Sequence, residues 1–249
     1  IESIRAFPPR ASSPCVFEYV YFARPDSIVQ GRSIYEVRRR MGHRLAMETP
    51  ADADVVVPVP DSGVPAALGY SEASGIPFGM GIIRNHYVGR TFIQPTNVGR
   101  QAAISKKHSP NRPVLEGKRV ILVDDSIVRG NTSKKIVQMV REAGAKEIHL
   151  RSASPPIVNP DFYGIDMAAK SELFAAIHTH EEMVRELKVD SLGFLSVPGL
   201  YAAIGEPVRN AMQPQFADHC FTGDYPTSLV DHQHDESDKE RQLSLLDDT

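Results

Sequence analysis

Runs of consecutive apolar residues predict buried β-strands at residues 55–59, 119–123 and 148–150. The first two runs are each followed by a turn and then by apolar residues at helical spacing, at residues 65–68 and 136–140. Strands that are apolar throughout and alternate with helices are typical of a parallel sheet covered on both faces. The pattern therefore predicts an α/β fold.

Two short polar sequences predict further helix starts. Ser33 with Glu36, and Thr179 with Glu182, have the spacing of capping boxes, and an apolar stripe follows each of them. The first stripe consists of Ile34, Val37, Met41 and Leu45, and the second of Met183, Val184 and Leu187. Residues 17–21 alternate between aromatic and other side chains, which predicts a short strand.

The two ends of the chain differ from the middle. Residues 7–14 are rich in proline and serine, so we assign residues 1–16 to a linker and expect the domain to span residues 17–228. Residues 229–249 are polar and without periodicity, which predicts a disordered tail.

Composition excludes several classes of function. The 249 residues are 41% hydrophobic, enough for a substantial core. With 28 basic and 31 acidic residues, the net charge of -3 gives no overall attraction to nucleic acid or an anionic membrane, so a phosphate site must be local. No apolar run is long enough to span a membrane, and we expect a cytoplasmic protein. Cys15 and Cys220 are expected to be free thiols.

The strongest candidate for chemistry follows the second predicted strand. Asp124 and Asp125 are adjacent carboxylates at the strand end, and they repel each other unless a cation or several donors lie nearby. A divalent ion or sugar hydroxyls would meet that need. The following residues, 126–133, can curl around a phosphate because Gly130 lacks Cβ and hydroxyl side chains follow it. The Gly-Lys-Ser/Thr end of a P-loop is missing.

The string from Val120 to Thr132 resembles the phosphoribosyl diphosphate (PRPP) signature of type I phosphoribosyltransferases. The wider sequence is similar to the branch of this family that uses ammonia from glutamine, over roughly residues 5–228. The similar strings are residues 17–27, 58–63, 87–95 and 162–166. The resemblance implies a central, mainly parallel sheet flanked by helices, with a flexible closing loop.

The resemblance also implies an activity and partners. Members of this branch form 5-phosphoribosylamine and diphosphate from PRPP and ammonia, the first committed step of purine synthesis. A separate N-terminal glutaminase domain releases the ammonia, and neither Cys15 nor Cys220 has the free α-amino group that its nucleophile needs. We therefore expect the transferase portion of a longer protein, a homotetramer that purine nucleotides inhibit by feedback.

Site residues follow from the same resemblance. Asp124 and Asp125 match the acidic pair that binds Mg²⁺ and the ribose hydroxyls, and Ser62 matches a third magnesium-associated position. No protein nucleophile is implied, because catalysis consists of neutralising the leaving diphosphate and placing the acceptor. The residues predicted to bind PRPP are Asp61, Ser62, Gly63, Asp124, Asp125, Ser126, Val128, Arg129, Gly130, Asn131, Thr132 and Ser133.

Residues 84–119 are locally basic, and in the resembled family this region includes the flexible closing loop. Arg90 and Lys107 match its basic positions and are predicted to be catalytic with Asp124 and Asp125. Closure of such a loop would exclude water from the reaction. Binding of nucleic acid is the competing interpretation of a basic stretch, but the net charge is negative and no aromatic residues interleave the cations.

Some positions depart from the family pattern. Ser105 replaces a basic residue, Ser109 an Asn, and Asn131 a Thr. One branch of the family binds an iron–sulfur cluster through four cysteines, at positions that here are Cys15, Asp161, Ala217 and Cys220. Because two cysteines do not hold a four-iron cluster in the usual way, we expect none.

Two alternatives stay open. A PRPP- or nucleotide-sensing module without turnover would have the same fold, and Ser105 is a small indication of it. A transferase that uses a nucleobase acceptor would need an apolar or aromatic slot beside C1 of the ribose. The string at residues 87–95 favours the ammonia-using enzyme over the transferase with a nucleobase acceptor.

Overall fold

Four parallel strands form the central sheet of the computed structural model, which describes residues 12–85, 108–165 and 169–229. In spatial order they are β3 (Val55–Pro58), β6 (Arg119–Asp124), β7 (Glu147–Ser152) and β8 (Ser191–Phe194). Two small antiparallel ribbons accompany the sheet, namely β1 (Ile28–Val29) with β2 (Arg32–Ser33), and β4 (Ile82–Arg84) with β5 (His108–Pro110). All three predicted strands of the sheet are therefore present.

Helices connect the strands and cover both faces of the sheet. They are α1 (Ile34–Glu48), α2 (Val64–Ser74), α3 (Arg112–Leu115), α4 (Asn131–Glu142), α5 (Phe174–Ile177), α6 (His180–Leu187), α7 (Val197–Ile204) and α8 (His219–Thr222). A 3₁₀ turn, Lys170–Glu172, precedes α5. Both predicted helix starts are confirmed, because the hydroxyls of Ser33 and Thr179 accept hydrogen bonds from the amides of Glu36 and Glu182 at the starts of α1 and α6. The complete capping box, in which the glutamate side chain also accepts from the N-cap amide, is present at Thr179, whereas Ser33 provides the hydroxyl cap. Among the described helices, none is long and apolar enough to cross a membrane.

Alternate residues of each strand pack on opposite faces of the sheet. Val56, Ile121 and Val123 belong to a core with α1, α2 and α7. Val57 and Leu122 belong to a second core with α4 and α6. Burial on both faces explains why these strands are apolar throughout, and it confirms the predicted doubly covered parallel sheet.

The strand predicted at residues 17–21 is wrong, because residues Glu18–Phe22 form a short π-helical turn. The alternation of aromatic residues is coincidental. The buried residues of this segment are Val16, Phe17, Tyr19 and Val20, which follow helical spacing. The buried Arg38 guanidinium stabilises the turn by donating hydrogen bonds to the carbonyls of Tyr19 (2.9 Å) and Ala23 (2.8 Å). This long-range contact carries no local sequence signal.

The crossing of α1 and α2 depends on two glycines. A Cβ atom on Gly42 would lie 1.8 Å from the Ala66 carbonyl oxygen, and one on Gly69 would lie 1.8 Å from the Arg39 carbonyl oxygen. The two backbones therefore touch directly. Since α2 begins immediately after residues 60–63, this crossing also places the turn that links β3 to α2.

Substituting Gly69 with alanine is expected to destabilise the domain by about 1–3 kcal/mol, because the added methyl forces α1 and α2 apart. The free energy of unfolding in urea measures the effect. Met47→Ala, at a side chain of α1 that is 62% exposed, is the control and should change stability by about 0.5 kcal/mol or less. Equal stabilities of the two variants would contradict the close crossing.

Candidate functional site

A pocket of about 570 Å³ lies beyond the carboxyl ends of β3 and β6. This is the edge of an open parallel sheet where ligands usually bind. Two chain segments that are distant in sequence, the turn after β3 and the loop after β6, meet there. Its lining residues are Phe17, Tyr21, Phe22, Val59, Pro60, Ser62, His108, Asp124, Asp125, Ser126, Val128, Arg129, Gly130, Asn131, Thr132, Ser133 and Ile165.

The acidic pair at the end of β6 is buried. Asp124 is 6% exposed and Asp125 is 7% exposed. Asp124 Oδ1 accepts the amide of Asp125 (2.9 Å), and Asp125 Oδ1 accepts the amide of Ser126 (2.6 Å). Asp125 Oδ2 is buried and has no hydrogen-bond partner among the residues that the structure describes. One oxygen of the pair thus lacks a compensating donor.

The surroundings of the pair disfavour its negative charge. Burial raises the pKa of Asp124 well above its usual value, and the neighbouring Asp125 raises it further. Burial also raises the pKa of Asp125, although the nearby Ser62 hydroxyl and the Ser126 amide partly oppose this. Two adjacent carboxyl groups in such a place are best stabilised as anions by a cation.

The donor set fits a hard divalent cation such as Mg²⁺. Asp124, Asp125 and Ser62 have side-chain oxygen atoms at the pocket. Asp125 Oδ2 has no hydrogen-bond partner among the described residues and is therefore available to a cation. In the described part of the chain, no three His, Cys, Asp or Glu side chains could together hold a metal ion. Mg²⁺ usually takes the rest of its ligands from water and substrate phosphates, and it is bound by only one or two carboxylates.

The loop after the acidic pair, residues 126–133, has a conformation that suits an anion. Gly130 adopts a left-handed conformation (φ 72°), which turns the chain into the first residue of α4. The first amides of a helix have no partner inside the helix, and the helix dipole favours negative charge near them. Asn131, Thr132 and Ser133 form this first turn and line the pocket. A phosphate fits this position.

The turn between β3 and α2 separates the predicted residues into two groups. Ser62 lines the pocket, whereas Asp61 and Gly63 are not among its lining residues. Asp61 forms an ion pair with Arg84 of β4. Gly63, the last residue of the turn, packs against β6, because a Cβ atom on it would be 2.5 Å from the Val123 carbonyl oxygen. Asp61 and Gly63 therefore shape the turn in this structure.

The structure describes only some basic residues of the stretch 84–119. Arg90 and Lys107 lie outside the described residues, so their catalytic roles stay predictions. Arg119 lies at the opposite end of β6 from the pocket, where it forms ion pairs with Asp52 and Asp54. The hydrogen bonds from Arg119 lower the pKa of Asp54 to about 2. Arg119 is thus part of a surface ion-pair cluster away from the pocket.

One side of the pocket is an aromatic wall that the sequence did not predict. Phe17, Tyr21 and Phe22 line the side of the pocket that is contributed by the π-helical turn, together with Ile165. Tyr21 and Phe22 are about half exposed and pack edge to face at 5.5 Å. The sequence does contain a signal for this wall, because residues 17–22 include four aromatic residues. The incorrect strand prediction obscured it, since a strand would place neighbouring side chains on opposite faces.

The positions matched to iron–sulfur ligands lie near one another. Cys15 pairs with Ala217 in an isolated parallel β-bridge, and Cys220 follows in α8. Burial raises the pKa of both thiols, and the charge of Asp161 raises each of them further. Without a bound metal, both thiols are therefore held in the protonated form at neutral pH.

Asp161 is engaged with other partners. Its Oδ1 accepts the amides of Tyr163 (2.7 Å) and Ile165 (3.1 Å), and its Oδ2 lies 2.8 Å from His219 Nε2. Tyr225 stacks on the His219 ring at 4.8 Å. A polar and aromatic junction therefore occupies this region and joins residues 161–165 to the last described segment.

Comparison with known proteins identifies relatives of this chain. Residues 26–153 match the phosphoribosyl transferase domain family. The chain is 60% identical over 232 residues to the amidophosphoribosyltransferase of Rhizobium etli, covering 93% of this chain and 47% of that protein. It is 56% identical over 220 residues to the amidophosphoribosyltransferase of Methanocaldococcus jannaschii, covering 88% and 45%. The chain thus spans about half the length of the curated relatives it matches.

Solved structures give the same result for the fold. Glutamine PRPP amidotransferase from Bacillus subtilis, complexed with ADP and GMP, superimposes with a TM-score of 0.82 at 48% identity, covering 92% of this chain and 50% of that chain. A structure described as the allosteric regulatory enzyme of purine biosynthesis superimposes with a TM-score of 0.80 at 50% identity, covering 88% and 47%. The fold is that of the type I phosphoribosyltransferases, as the sequence predicted.

The variant Asp125→Asn is expected to be more stable than the wild type at pH 7 when metal is absent. Burial raises the pKa of Asp125 in the folded state, so the folded protein binds more protons than the unfolded chain above about pH 4. Stability of the wild type therefore falls as pH rises from about 4 through the folded pKa, and asparagine removes this loss. We expect a gain on the order of 1 kcal/mol, about 2–4 °C in Tm.

Thermal unfolding at pH 7 and pH 4 in a chelator tests this expectation, and the gain should vanish at the lower pH. Asp26→Asn is the control, because Asp26 is exposed and its hydrogen bond from Arg24 lowers its pKa. It should give no gain at pH 7. A lower Tm for Asp125→Asn at pH 7 would contradict the electrostatic account of the pair.

Proposed function

The chain belongs to the phosphoribosyltransferase family, and from that premise we propose that it is the phosphoribosyltransferase portion of an amidophosphoribosyltransferase. The proposed reaction forms 5-phosphoribosylamine and diphosphate from PRPP and ammonia. The observation that carries the proposal is the shared pocket, in which a buried acidic pair lies beside a helix-start loop suited to a phosphate. The identity of 60% to a relative named for this activity supports it.

PRPP has three groups that the pocket can recognise. Residues 126–133 would hold the 5′-phosphate through the amides and hydroxyls at the start of α4. Asp124 and Asp125 would accept hydrogen bonds from the ribose hydroxyls and hold the cation. The diphosphate is assigned to the part of the pocket lined by Ser62, in the turn after β3.

The reaction breaks the bond between C1 and diphosphate, forms a bond between C1 and the ammonia nitrogen, and releases one proton. Positive charge develops on the ribose as diphosphate departs. The buried carboxylates would stabilise that charge, because electrostatic effects are strong where water is largely excluded. Mg²⁺, when bound, would neutralise the diphosphate as it leaves. Side chains of this chain position the reactants and form no covalent bond with them.

The aromatic wall bears on the identity of the acceptor. Phe17, Tyr21, Phe22 and Ile165 give the pocket an apolar side, which would limit access of water to the ribose. The same wall meets the requirement for a nucleobase acceptor that was stated for the alternative transferase. The identities to amidophosphoribosyltransferases favour ammonia.

Partners and conditions are proposed on the same basis. We propose that glutamine is the source of the ammonia through a separate domain, and that the assembly is a homotetramer in the cytoplasm. Purine nucleotides are proposed as feedback inhibitors, which the complex of the Bacillus subtilis relative with ADP and GMP supports. The proposed metal is Mg²⁺, with Asp124, Asp125 and Ser62 as its protein ligands.

Diphosphate release by the purified chain, incubated with PRPP and Mg²⁺, tests the proposed activity. We expect release with ammonium at mildly alkaline pH, where free ammonia is available, and no response to glutamine. Asp125→Asn should lose about 100-fold or more of the rate, and the exposed-site variant Asp26→Asn should retain it.

The possible outcomes separate the open alternatives. Release that requires adenine, guanine or another base instead of ammonium would identify a nucleobase transferase. Measurable PRPP binding without release under any condition would favour the sensing module. Release in the presence of glutamine alone would contradict the assignment of a separate glutaminase domain.

We also propose that the protein carries no iron–sulfur cluster. The support is the pairing of Asp161 with His219 and two backbone amides, which leaves two cysteines at the four matched positions. Freshly purified protein, prepared without oxygen, is expected to be colourless and free of iron and acid-labile sulfide. A visible absorbance band accompanied by stoichiometric iron would refute this.

A further inference from the structure

The loop at residues 126–133 rests on a segment that is distant in sequence. Phe174, the first residue of α5, donates its amide to the Val128 carbonyl oxygen (2.8 Å). Its ring packs against Gly130, where a Cβ atom would lie 3.0 Å from ring carbons. Phe174 is 3% exposed and is not among the residues that line the pocket. It therefore supports the loop from behind.

Other contacts hold the Phe174 ring in place. The Lys134 ammonium lies 5.4 Å from the ring centroid and forms an ion pair with Glu186 of α6 (2.7 Å). The His178 ring lies 4.7 Å from the Phe174 ring, and His178 Nδ1 is 3.1 Å from the Phe174 carbonyl oxygen. A fixed ring limits the positions that Gly130 can adopt.

A second contact between the same segments is weaker. Arg129 Nε lies 2.8 Å from Glu172 Oε2, but both side chains are at least half exposed. Exposed ion pairs contribute little to stability. The position of the loop therefore depends mainly on the buried Phe174.

We propose that Phe174 is a positioning residue for the 5′-phosphate, acting through Gly130 and Val128. The inference rests on the proposed function. A loop that binds phosphate through backbone amides binds best when those amides are already oriented, because ordering a mobile loop would cost part of the binding energy. Without the ring, Gly130 would have more conformations and the amides of residues 131–133 would lose their alignment.

The test is Phe174→Ala, with Phe216→Ala as the matched control. Phe216 is 2% exposed and packs edge to face on Tyr19 and Tyr201, in the core on the other face of the sheet from Phe174. Both variants create a cavity of similar size and should lose similar thermal stability. Only Phe174→Ala is expected to raise the KM for PRPP, by about fivefold or more, with kcat and the KM for ammonium within about twofold of wild type.

Competitive ligands separate positioning from a general structural effect. Ribose 5-phosphate carries the 5′-phosphate alone, so its inhibition constant should rise in Phe174→Ala in parallel with the KM for PRPP. Inorganic diphosphate should inhibit wild type and variant equally, because it is assigned to the part of the pocket lined by Ser62 rather than to residues 126–133. Phe174→Leu keeps an apolar side chain beneath Gly130 and is expected to restore binding to within about twofold of wild type.

Calorimetric binding of PRPP distinguishes failure of this inference from failure of the proposed function. If wild type binds PRPP and Phe174→Ala binds it equally well, or if diphosphate binding weakens as much as ribose 5-phosphate binding, the positioning role is wrong. If wild type binds no PRPP, both the role and the proposed function are wrong. Should Phe174→Ala be unfolded at the assay temperature, wild type and all variants are measured at a lower temperature at which Phe174→Ala is folded, and wild-type affinity of Phe174→Ala there would overturn the proposal.

Discussion

The burial of two adjacent carboxyl groups at the end of β6 is the constraint on which the site depends. Asp124 and Asp125 are nearly inaccessible to solvent, and burial raises the pKa of both. The folded chain therefore bears an electrostatic cost at neutral pH that a cation and a polyhydroxyl ligand would relieve. A fold tolerates such an unfavourable site only where its other interactions offset the lost free energy, and groups with a strongly shifted pKa are typical of functional sites.

The stabilising structure lies on both sides of the sheet. On one side, the direct backbone contact of α1 with α2 at Gly42 and Gly69 places the turn that carries Ser62. On the other side, Phe174 packs beneath Gly130 and supports the loop that follows the acidic pair. Two segments that line the pocket, the turn with Ser62 and residues 126–133, are thus each held by a close contact outside the pocket. Preorganisation of this kind is what a transferase without a covalent intermediate requires.

The local pattern of the chain predicted much of this arrangement. The parallel strands, the helix starts at Ser33 and Thr179 and the turn at Gly130 all follow from signals within a few residues, and the structure contains each of them. The sequence also predicted a cation- and phosphate-binding site at Asp124 and Asp125, because two carboxylates followed by a glycine- and hydroxyl-rich loop form an uncommon string. The π-helical turn was not predictable, since it depends on the distant Arg38 guanidinium.

The sequence by itself therefore determined the fold class, the place of the acidic pair at a strand end and the capacity of the next loop to hold a phosphate. These properties depend on hydrophobic periodicity and on the conformational preferences of neighbouring residues, which are local. Only the tertiary structure decided that Asp61 pairs with Arg84, that aromatic residues of the segment 17–22 form one wall of the pocket, and that Phe174 supports Gly130. Those contacts join residues that are about 20 to 150 positions apart, and packing density and electrostatics select them only once the chain has folded.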